Sequence, residues 1–317
     1  MEKEKLRLLV KVCQLYFHEG LNQQDIAKKY GISRPQVSRL ISQAKAEGIV
    51  EITIRNPFSD ESEIERELVE LFGLRDVIVV DTADADTGLA DVLIAQAAAA
   101  HLESIFIDGE LVGVMAGKTV NVLAKELKDP QKKNLTFIPL IGGWGAEVSE
   151  SHANMNCSIM AKQAKGANLI LNAPAIVSSE ETKKRFLKEP DIEKVITMSK
   201  EANLAIIGIG QVSESATFYK STNLDSRDLT ELIDVGAVCS IGTSFINKEG
   251  EEVGNQISDR MIGITGIELK RVGQVIALAR GLSKADAIHA ALTGGWVDVL
   301  ITDMKTAKAI VEKGQRH

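Results

Sequence analysis

No apolar run in this 317-residue chain approaches the roughly 18 residues needed to carry a helix across a bilayer. The amino terminus, MEKEKLRLLVKVCQLYF, lacks the continuous apolar stretch and small-residue cleavage site of a secretory signal, so a cytoplasmic location is expected. Cysteine is scarce. Cys13, Cys157 and Cys239 are odd in number and widely spaced, which fits reduced core thiols better than a disulfide framework or a thiolate zinc site. The five histidines, at 18, 101, 152, 289 and 317, fall at no metal-ligand spacing. No Ser-His-Asp or Cys-His arrangement can be drawn either, so no catalytic residue, cofactor or metal is expected.

What is present is length enough for two domains, since single cores usually stop growing near about 250 to 300 residues. Charge divides the chain in the same way. Residues 1–57 carry ten Lys/Arg against six Asp/Glu, a net +4, and the remainder carries −11 of a total of −7. A basic head on an acidic body confines any polyanion contact to the head.

Within the head, Leu6, Leu9, Val10, Cys13, Tyr16 and Phe17 fall at helical spacing and predict one apolar face on a first helix that ends at Gly20. Asn22 can cap a second helix, with Asp25 in its first turn and a Leu21–Ile26 staple. Gly31 supplies a left-handed stop, and Ser33 opens a third helix with Gln36 placed for a capping box. That third helix buries Val37, Leu40, Ile41 and Ala44 and turns Pro35, Gln36, Ser38, Arg39, Ser42 and Gln43 outward. Arg can grip guanine, Gln adenine, and Ser bases or phosphates, so a tight helix-turn-helix with this face predicts a DNA-recognition helix. The residues assigned to DNA are Lys28, Lys29, Ser33, Arg34, Gln36, Ser38, Arg39 and Ser42. The opposing reading is two packing helices with solvated polar faces. Residues 49–55 alternate as a short strand, either a wing or the exit from the domain. Asn56–Asp60 reads as a linker, placing a helix-turn-helix domain at 1–57 and a second domain at 58–317. The second opens with a helix that turns Ile64, Leu68, Leu71 and Phe72 inward.

From residue 76, short β-branched runs alternate with amphipathic helices. Strands are expected at 76–81, 110–114, 135–140, 168–172, 203–209, 236–241, 273–278 and 297–301, with helices between most of them. This pattern predicts an α/β domain with a mainly parallel sheet covered on both faces, its ligands beyond the carboxyl ends of the strands. Glycine loops follow several strands. In Gly113-Val-Met-Ala-Gly117-Lys-Thr119, glycines permit close backbone approach and the helix that follows directs free N–H groups at an anion. A nucleotide P-loop has four residues between its first glycine and Gly-Lys-Thr; here there are three, which demotes nucleotide hydrolysis. Gly142 and Gly143 form a second loop, with Trp144 either in the core or over a sugar ring. Lys284 places a cation at a helix start, where it opposes the dipole; either an anionic ligand answers it or it is a surface side chain.

Together these residues resemble the SorC family of bacterial sugar-responsive transcription regulators over nearly the whole chain. The most specific stretches are LNQQDIAKKYGISRPQVSRLISQAKAEGIVEI at 21–52 and KADAIHAALTGGWVDVLITDMKTAKAI at 284–310. LVGVMAGKT at 111–119, IPLIGG at 138–143, LAIIGIG at 204–210 and GAVCSIGTSFINKEG at 236–250 add to them. The resemblance implies a small all-α, winged helix-turn-helix domain followed by a Rossmann-like domain similar to sugar-phosphate isomerases, which senses a sugar or sugar phosphate. It also implies operator DNA as partner and a homodimer or homotetramer. By position it puts Gly113, Gly117, Lys118, Thr119, Gly142, Gly143, Trp144 and Lys284 at the effector, and Asp303 in a closing Thr-Asp pair. The chain departs from the pattern at Cys239-Ser240, where many members read Gly-Asp, and at Arg280, where many read Gly. Ile141 replaces the Schiff-base lysine of one member type. The alternative is a sugar-phosphate isomerase or deaminase with a DNA-binding head, which would need a general base that no loop residue supplies.

Overall fold

The computed structural model describes residues 3–50, 59–143, 151–216, 219 and 224–315, and the chain divides into two compact units, Met1–Pro57 and Phe58–His317.

The first unit holds three helices, α1 (Lys3–Phe17), α2 (Gln23–Tyr30) and α3 (Arg34–Ala46). Local chemistry sets their ends. Asn22 Oδ1 accepts the backbone N–H groups of Gln24 and Asp25, each at 3.0 Å, which satisfies two of the donors a helix start leaves over. Gly31 closes α2 at φ 65°, where a Cβ would be penalised. Ser33 then caps α3 in a reciprocal box: Gln36 Oε1 accepts the Ser33 N–H at 2.8 Å, and the Ser33 hydroxyl accepts the Gln36 N–H at 3.4 Å. Val12, Leu15, Ile26, Ala27, Val37 and Ile41 form the core, with Leu9, Cys13 and Ala44 beside them. The buried stripe of α1 is thus Leu9, Val12, Cys13 and Leu15. Leu6 and Phe17 of the expected face are each 37 % exposed, because they sit near the two ends of α1, beyond that stripe. Residues 51–55 of the expected wing lie outside the described residues; Ile49 and Val50 pack against the Leu9–Cys13–Ala44 group.

The second unit begins with α4 (Ser59–Phe72), in which Leu68 is fully buried and Leu71, expected inward, is 40 % exposed. It continues through β1 (Asp76–Val80), α5 (Thr87–Ile105), β2 (Leu111–Val114), α6 (Lys118–Glu126), β3 (Thr136–Pro139), α7 (Ala153–Gln163) and β4 (Ala167–Asn168). Next come α8 (Glu180–Phe186), α9 (Pro190–Lys200), β5 (Leu204–Gly208) and β6 (Gly210–Gln211). The last third holds α10 (Ser226–Asp234), β7 (Ala237–Ile241), β8 (Ser244–Asn247), β9 (Glu252–Val253), the short helices α11 (Asn255–Ser258) and α12 (Gly266–Leu269), β10 (Gln274–Leu278), α13 (Ala285–Thr293), β11 (Val299–Asp303) and α14 (Met304–Gly314).

Seven strands form one parallel sheet in the order β1-β11-β10-β5-β2-β3-β4. Consecutive strand residues face opposite sides, and here both sides are buried. Leu204 and Ile206 of β5 enter one core and Ala205 and Ile207 the other; on β11, Val299 and Ile301 oppose Leu300 in the same way. Continuous apolar strands therefore follow from helices on both faces.

Residues 236–241 do not extend this sheet. β7 belongs to a separate four-stranded sheet, β6-β7-β8-β9, paired antiparallel throughout. Only Gly242 and Thr243 separate β7 from β8, too few for the helical crossover that parallel pairing demands, and Gly242 takes φ 58° in the turn. The expected strand at 168–172 shrinks to the two residues of β4 at the sheet edge.

Candidate functional site

Two sites are considered, one in each unit. On the first, Val37, Ile41 and Ala44 fix one side of α3 inward. Arg34, Gln36, Arg39 and Ser42 are consequently exposed, while Ser38 is half-buried. Lys28 and Lys29 are exposed in the last turn of α2, where their charge suits the helix dipole. Ser33 is exposed but spends its hydroxyl on the cap. Gln36 is constrained likewise: Oε1 is held by the Ser33 N–H and hydroxyl at 2.8 and 3.0 Å, leaving its amide NH2 for an outside partner. In this conformation it can donate to a base but cannot grip adenine with both amide atoms.

In the second unit the strand order reverses between β2 and β5. The chain moves from β2 outward to β3 and β4, and from β5 in the other direction to β10 and β11. Loops leaving neighbouring strands in opposite directions must part, and a crevice opens beyond their carboxyl ends. A cavity of about 160 Å³ lies there, lined by Met115–Val120 after β2, Gly208–Gln211 at the end of β5, and Ser215, Ala216, Ser240, Gly242 and Lys284.

The loop after β2 meets the cavity as a helix start. Gly117, at φ 145° and ψ 147°, is the N-cap of α6, and it brings no side chain to accept the first-turn N–H groups. These donors and the positive end of the helix therefore await an acceptor. Lys118 is exposed at the first position of α6, and the half-buried Thr119 adds a hydroxyl. Lys284 comes from the far side of the sheet order, at the N-cap of α13. Its Nζ donates to the Ile209 carbonyl at 3.0 Å, and it has no salt bridge among the described residues. Burial pulls its pKa below the ordinary lysine value, partly offset by the charge of Asp91. Two lysines and, among the described residues, no carboxylate line the cavity. Such a site favours an anion.

Buried polar groups hold both loops in place. Asn156, fully buried on α7, donates to the Met115 carbonyl at 3.1 Å and accepts from Asn121 Nδ2 at 3.1 Å, while the Ser151 carbonyl accepts the Gly117 N–H at 2.8 Å. On the other side, Asp303 caps α14 and accepts the Thr306 hydroxyl at 2.8 Å, and Thr306 Oγ1 accepts the Gly281 N–H at 2.7 Å. Asp303 therefore positions the Lys284 loop and is not part of the cavity wall. Arg280 is anchored too, with Nε 2.5 Å from Asp91 Oδ1 and a second bond to the Thr87 carbonyl.

Of the sequence-derived effector set, Gly117, Lys118, Thr119 and Lys284 meet at this cavity. Gly113, Gly142 and Gly143 do not line it, and packing accounts for the first two. A Cβ on Gly113 would stand 2.5 Å from Leu140 Cδ2, and one on Gly142 2.5 Å from the Pro174 carbonyl oxygen. Gly143 exchanges backbone hydrogen bonds with Ala173 and Ala175. Trp144 lies outside the described residues. Gln211 and Ser215 join the lining without having been singled out, and Ser240, noted only as a departure from the family pattern, joins them; the three come from β6, β7 and the loop between these strands. Asn156 also went unnoticed, because a lone amide in an amphipathic helix carries no spacing signal.

The chain was compared with known proteins. Residues 56–312 match the family described as "Putative sugar-binding domain", and residues 2–51 match a homeodomain-like helix-turn-helix domain. A deoxyribonucleoside regulator of Bacillus subtilis is 30 % identical over 313 residues, covering 98 % of this chain and 99 % of the relative. An erythritol catabolism regulatory protein of Brucella abortus is 28 % identical, covering 96 % of each. The full-length sorbitol operon regulator SorC of Klebsiella pneumoniae superposes with a TM-score of 0.75 at 23 % identity, over 96 % of this chain and 98 % of that one, which establishes a shared fold.

Proposed function

The chain belongs to the SorC family of bacterial transcription regulators with a sugar-binding domain, and on that premise we propose that the cavity after β2, β5 and β10 is its effector site and that the effector is phosphorylated. The protein is a DNA-binding regulator governed by a small sugar, not an enzyme, as its relatives are. It controls an operon for carbohydrate or polyol breakdown. No helix among the described residues is long and apolar enough to cross a membrane, and the regulator acts in the cytoplasm.

One observation carries the phosphate assignment. The side-chain-free N-terminus of α6 at Gly117 opens into the same cavity as the unpaired Lys284 ammonium. Free N–H groups, a helix dipole and a buried cation in one place suit a group with several anionic oxygens. Lys118 and Thr119 supply a second charge and a hydroxyl. A free sugar would leave the Lys284 charge uncompensated.

In the first unit, Arg39 and Ser38 face base edges with the Gln36 amide NH2, and Arg34, Ser42, Lys28 and Lys29 meet phosphates. One short helix reads too few base pairs for an operator, so the protein works as a homodimer or homotetramer on paired half-sites. The test is to titrate the full-length chain, bound to an operator selected from random DNA, with matched free and phosphorylated sugars and polyols. A phosphorylated member should shift the complex at far lower concentration than its free counterpart. Equal responses would remove the phosphate assignment.

A further inference from the structure

We propose that Ser240 is a specificity-determining residue of this cavity, selecting an anion whose other end carries uncharged hydroxyls and rejecting the corresponding amine. The proposal rests on the reading of the cavity as the effector site and concerns its other wall, built from β6, β7 and the loop at 213–216.

Ser240 is only 6 % exposed, lines the cavity, and its hydroxyl makes no hydrogen bond among the described residues. That hydroxyl opens into the cavity, where a ligand group that both donates and accepts can replace the water that reaches it. Its placement follows from strand pairing. Ser240 stands opposite Gly210 in the β6–β7 register, and a Cβ on Gly210 would fall 2.3 Å from Ser240 Oγ. With the hydroxyl in this rotamer a side chain at 210 would meet it, and the bare backbone of β6 and the Ser240 hydroxyl share one surface. Beside it, Gln211 Nε2 donates to Ser213 Oγ at 2.9 Å and to Ser215 Oγ at 3.2 Å, which leaves Gln211 Oε1 to accept. This wall therefore offers neutral groups that both donate and accept.

The electrostatics exclude an amine. The cavity already holds Lys118 and Lys284, and among the described residues no carboxylate lines it. A ligand ammonium would be a third cation, with only neutral oxygens for company in a partly desolvated space. A ligand hydroxyl at that point meets the donor and acceptor capacity of Ser240 with no charge to compensate.

The experiment measures ligand affinity of the full-length chain, parent and Ser240→Ala and Ser240→Asp variants, by thermal shift and calorimetry. The probes are inorganic phosphate and a panel of C3 to C6 polyol and sugar monophosphates, including glucose 6-phosphate with glucosamine 6-phosphate as a matched hydroxyl and amine pair. Inorganic phosphate reports the anion half of the cavity and the folded state of each variant. Failure of phosphate and of every panel member to bind the parent would overturn the effector-site reading itself. The proposal expects the parent to bind at least one panel member more tightly than phosphate, and to favour glucose 6-phosphate over glucosamine 6-phosphate. Ser240→Ala should weaken the best panel member about tenfold or more while phosphate affinity shifts by less than about threefold. Ser240→Asp should move the matched pair toward the amine by a similar factor. If phosphate binds but Ser240→Ala leaves every panel affinity unchanged, or the parent prefers the amine, or no panel member exceeds phosphate, the proposal is wrong and the anion reading stands alone.

Discussion

Lys284 crosses from the segment after β10 to place its Nζ 3.0 Å from the main-chain carbonyl of Ile209, at the end of β5. This bond joins the carboxyl ends of two neighbouring strands, β10 and β5, along one side of the opening in which the cavity lies. Asp91, the acid whose charge Lys284 feels, is already held by Arg280 at 2.5 Å, and among the described residues no carboxylate pairs with the ammonium. An incoming anion can.

Burial lowers the Lys284 pKa from its ordinary value, so the ammonium is lost at lower pH than in a free lysine. An anion binds the protonated form. Affinity is therefore full below the lowered pKa and falls as pH rises through it. Sulfate keeps its charge over this range and isolates the protein's contribution. Its affinity for the parent should already decline at pH values below the ordinary lysine range, while Lys284→Arg, charged throughout, should show no such decline. Parallel profiles for the two proteins would assign the effect to some other group.

Removing the charge should uncouple response from DNA binding. Lys284→Ala should weaken a phosphorylated effector by about 1.5 to 3 kcal/mol, the usual range for a charge-assisted hydrogen bond, and a free sugar much less. Lys284 belongs to the unit Phe58–His317, and the basic head is a separate compact unit. Operator affinity without effector should therefore match the parent. The measurement is an effector titration of operator-bound protein, scored by the half-response concentration.

Gly142 gives a converse test, because its place in the structure is explained by packing. A Cβ there would sit 2.5 Å from the Pro174 carbonyl oxygen and 2.7 Å from that of Ala173, and neither backbone group can swing aside as a side-chain tip can. Gly142→Ala should lower stability by about 1 to 3 kcal/mol, the cost of overpacking. The protein that remains folded should keep parental effector affinity. A selective loss of effector binding at unchanged melting temperature would return Gly142 to the site.

Most of the framework could be read from residue pattern. The Asn22 and Ser33 caps, the Gly31 stop and the apolar runs of β2, β5, β10 and β11 each express a local preference that packing reinforces. The second sheet was missed because Gly236–Ile241 has the same β-branched character as a central strand. Its hairpin was nevertheless written in Gly242-Thr243, between two apolar runs. Half of the cavity was legible, since Gly117-Lys-Thr and Lys284 announce an anion by residue type. The other half was less so: Gln211 and Ser215 are ordinary polar residues and Ser240 stood out only as a departure from the family pattern, and it is the β6–β7 pairing and the loop between these strands that bring the three to one wall. Gly142 misled because glycine signals close approach, and the partner approached turns out to be backbone.

Association is required if each protomer contributes one recognition helix. Sedimentation of the full-length chain should give a dimer or tetramer at micromolar concentration, and its operator should contain two half-sites about 10 base pairs apart, or a multiple of that spacing. A monomer with full operator affinity would contradict this.

The head allows the sharpest separation of roles. Arg39 is exposed on α3, six residues beyond the Ser33 cap and on the face opposite the Val37–Ile41 stripe, where a long bidentate donor reaches a base edge. Arg39→Ala should cost about 1 to 3 kcal/mol on the selected operator, relax preference at one base pair, and leave affinity for random DNA little changed. Lys28 stands in the last turn of α2, before the turn into α3, and is assigned to a phosphate. Lys28→Ala should weaken operator and random DNA alike, and reduce the dependence of log affinity on log salt by about one unit, because one fewer counterion is released. Gln36 lies between these cases. Its Oε1 is fixed in the cap, so Gln36→Glu keeps an acceptor for the Ser33 N–H while replacing the amide NH2 with a carboxylate. The expected outcome is an α3 as stable as the parent's, by circular dichroism and thermal melting, together with weakened operator binding. If Gln36→Glu binds its operator at parental affinity, the side chain serves the cap alone, and sequence reading by α3 begins at Ser38 and Arg39.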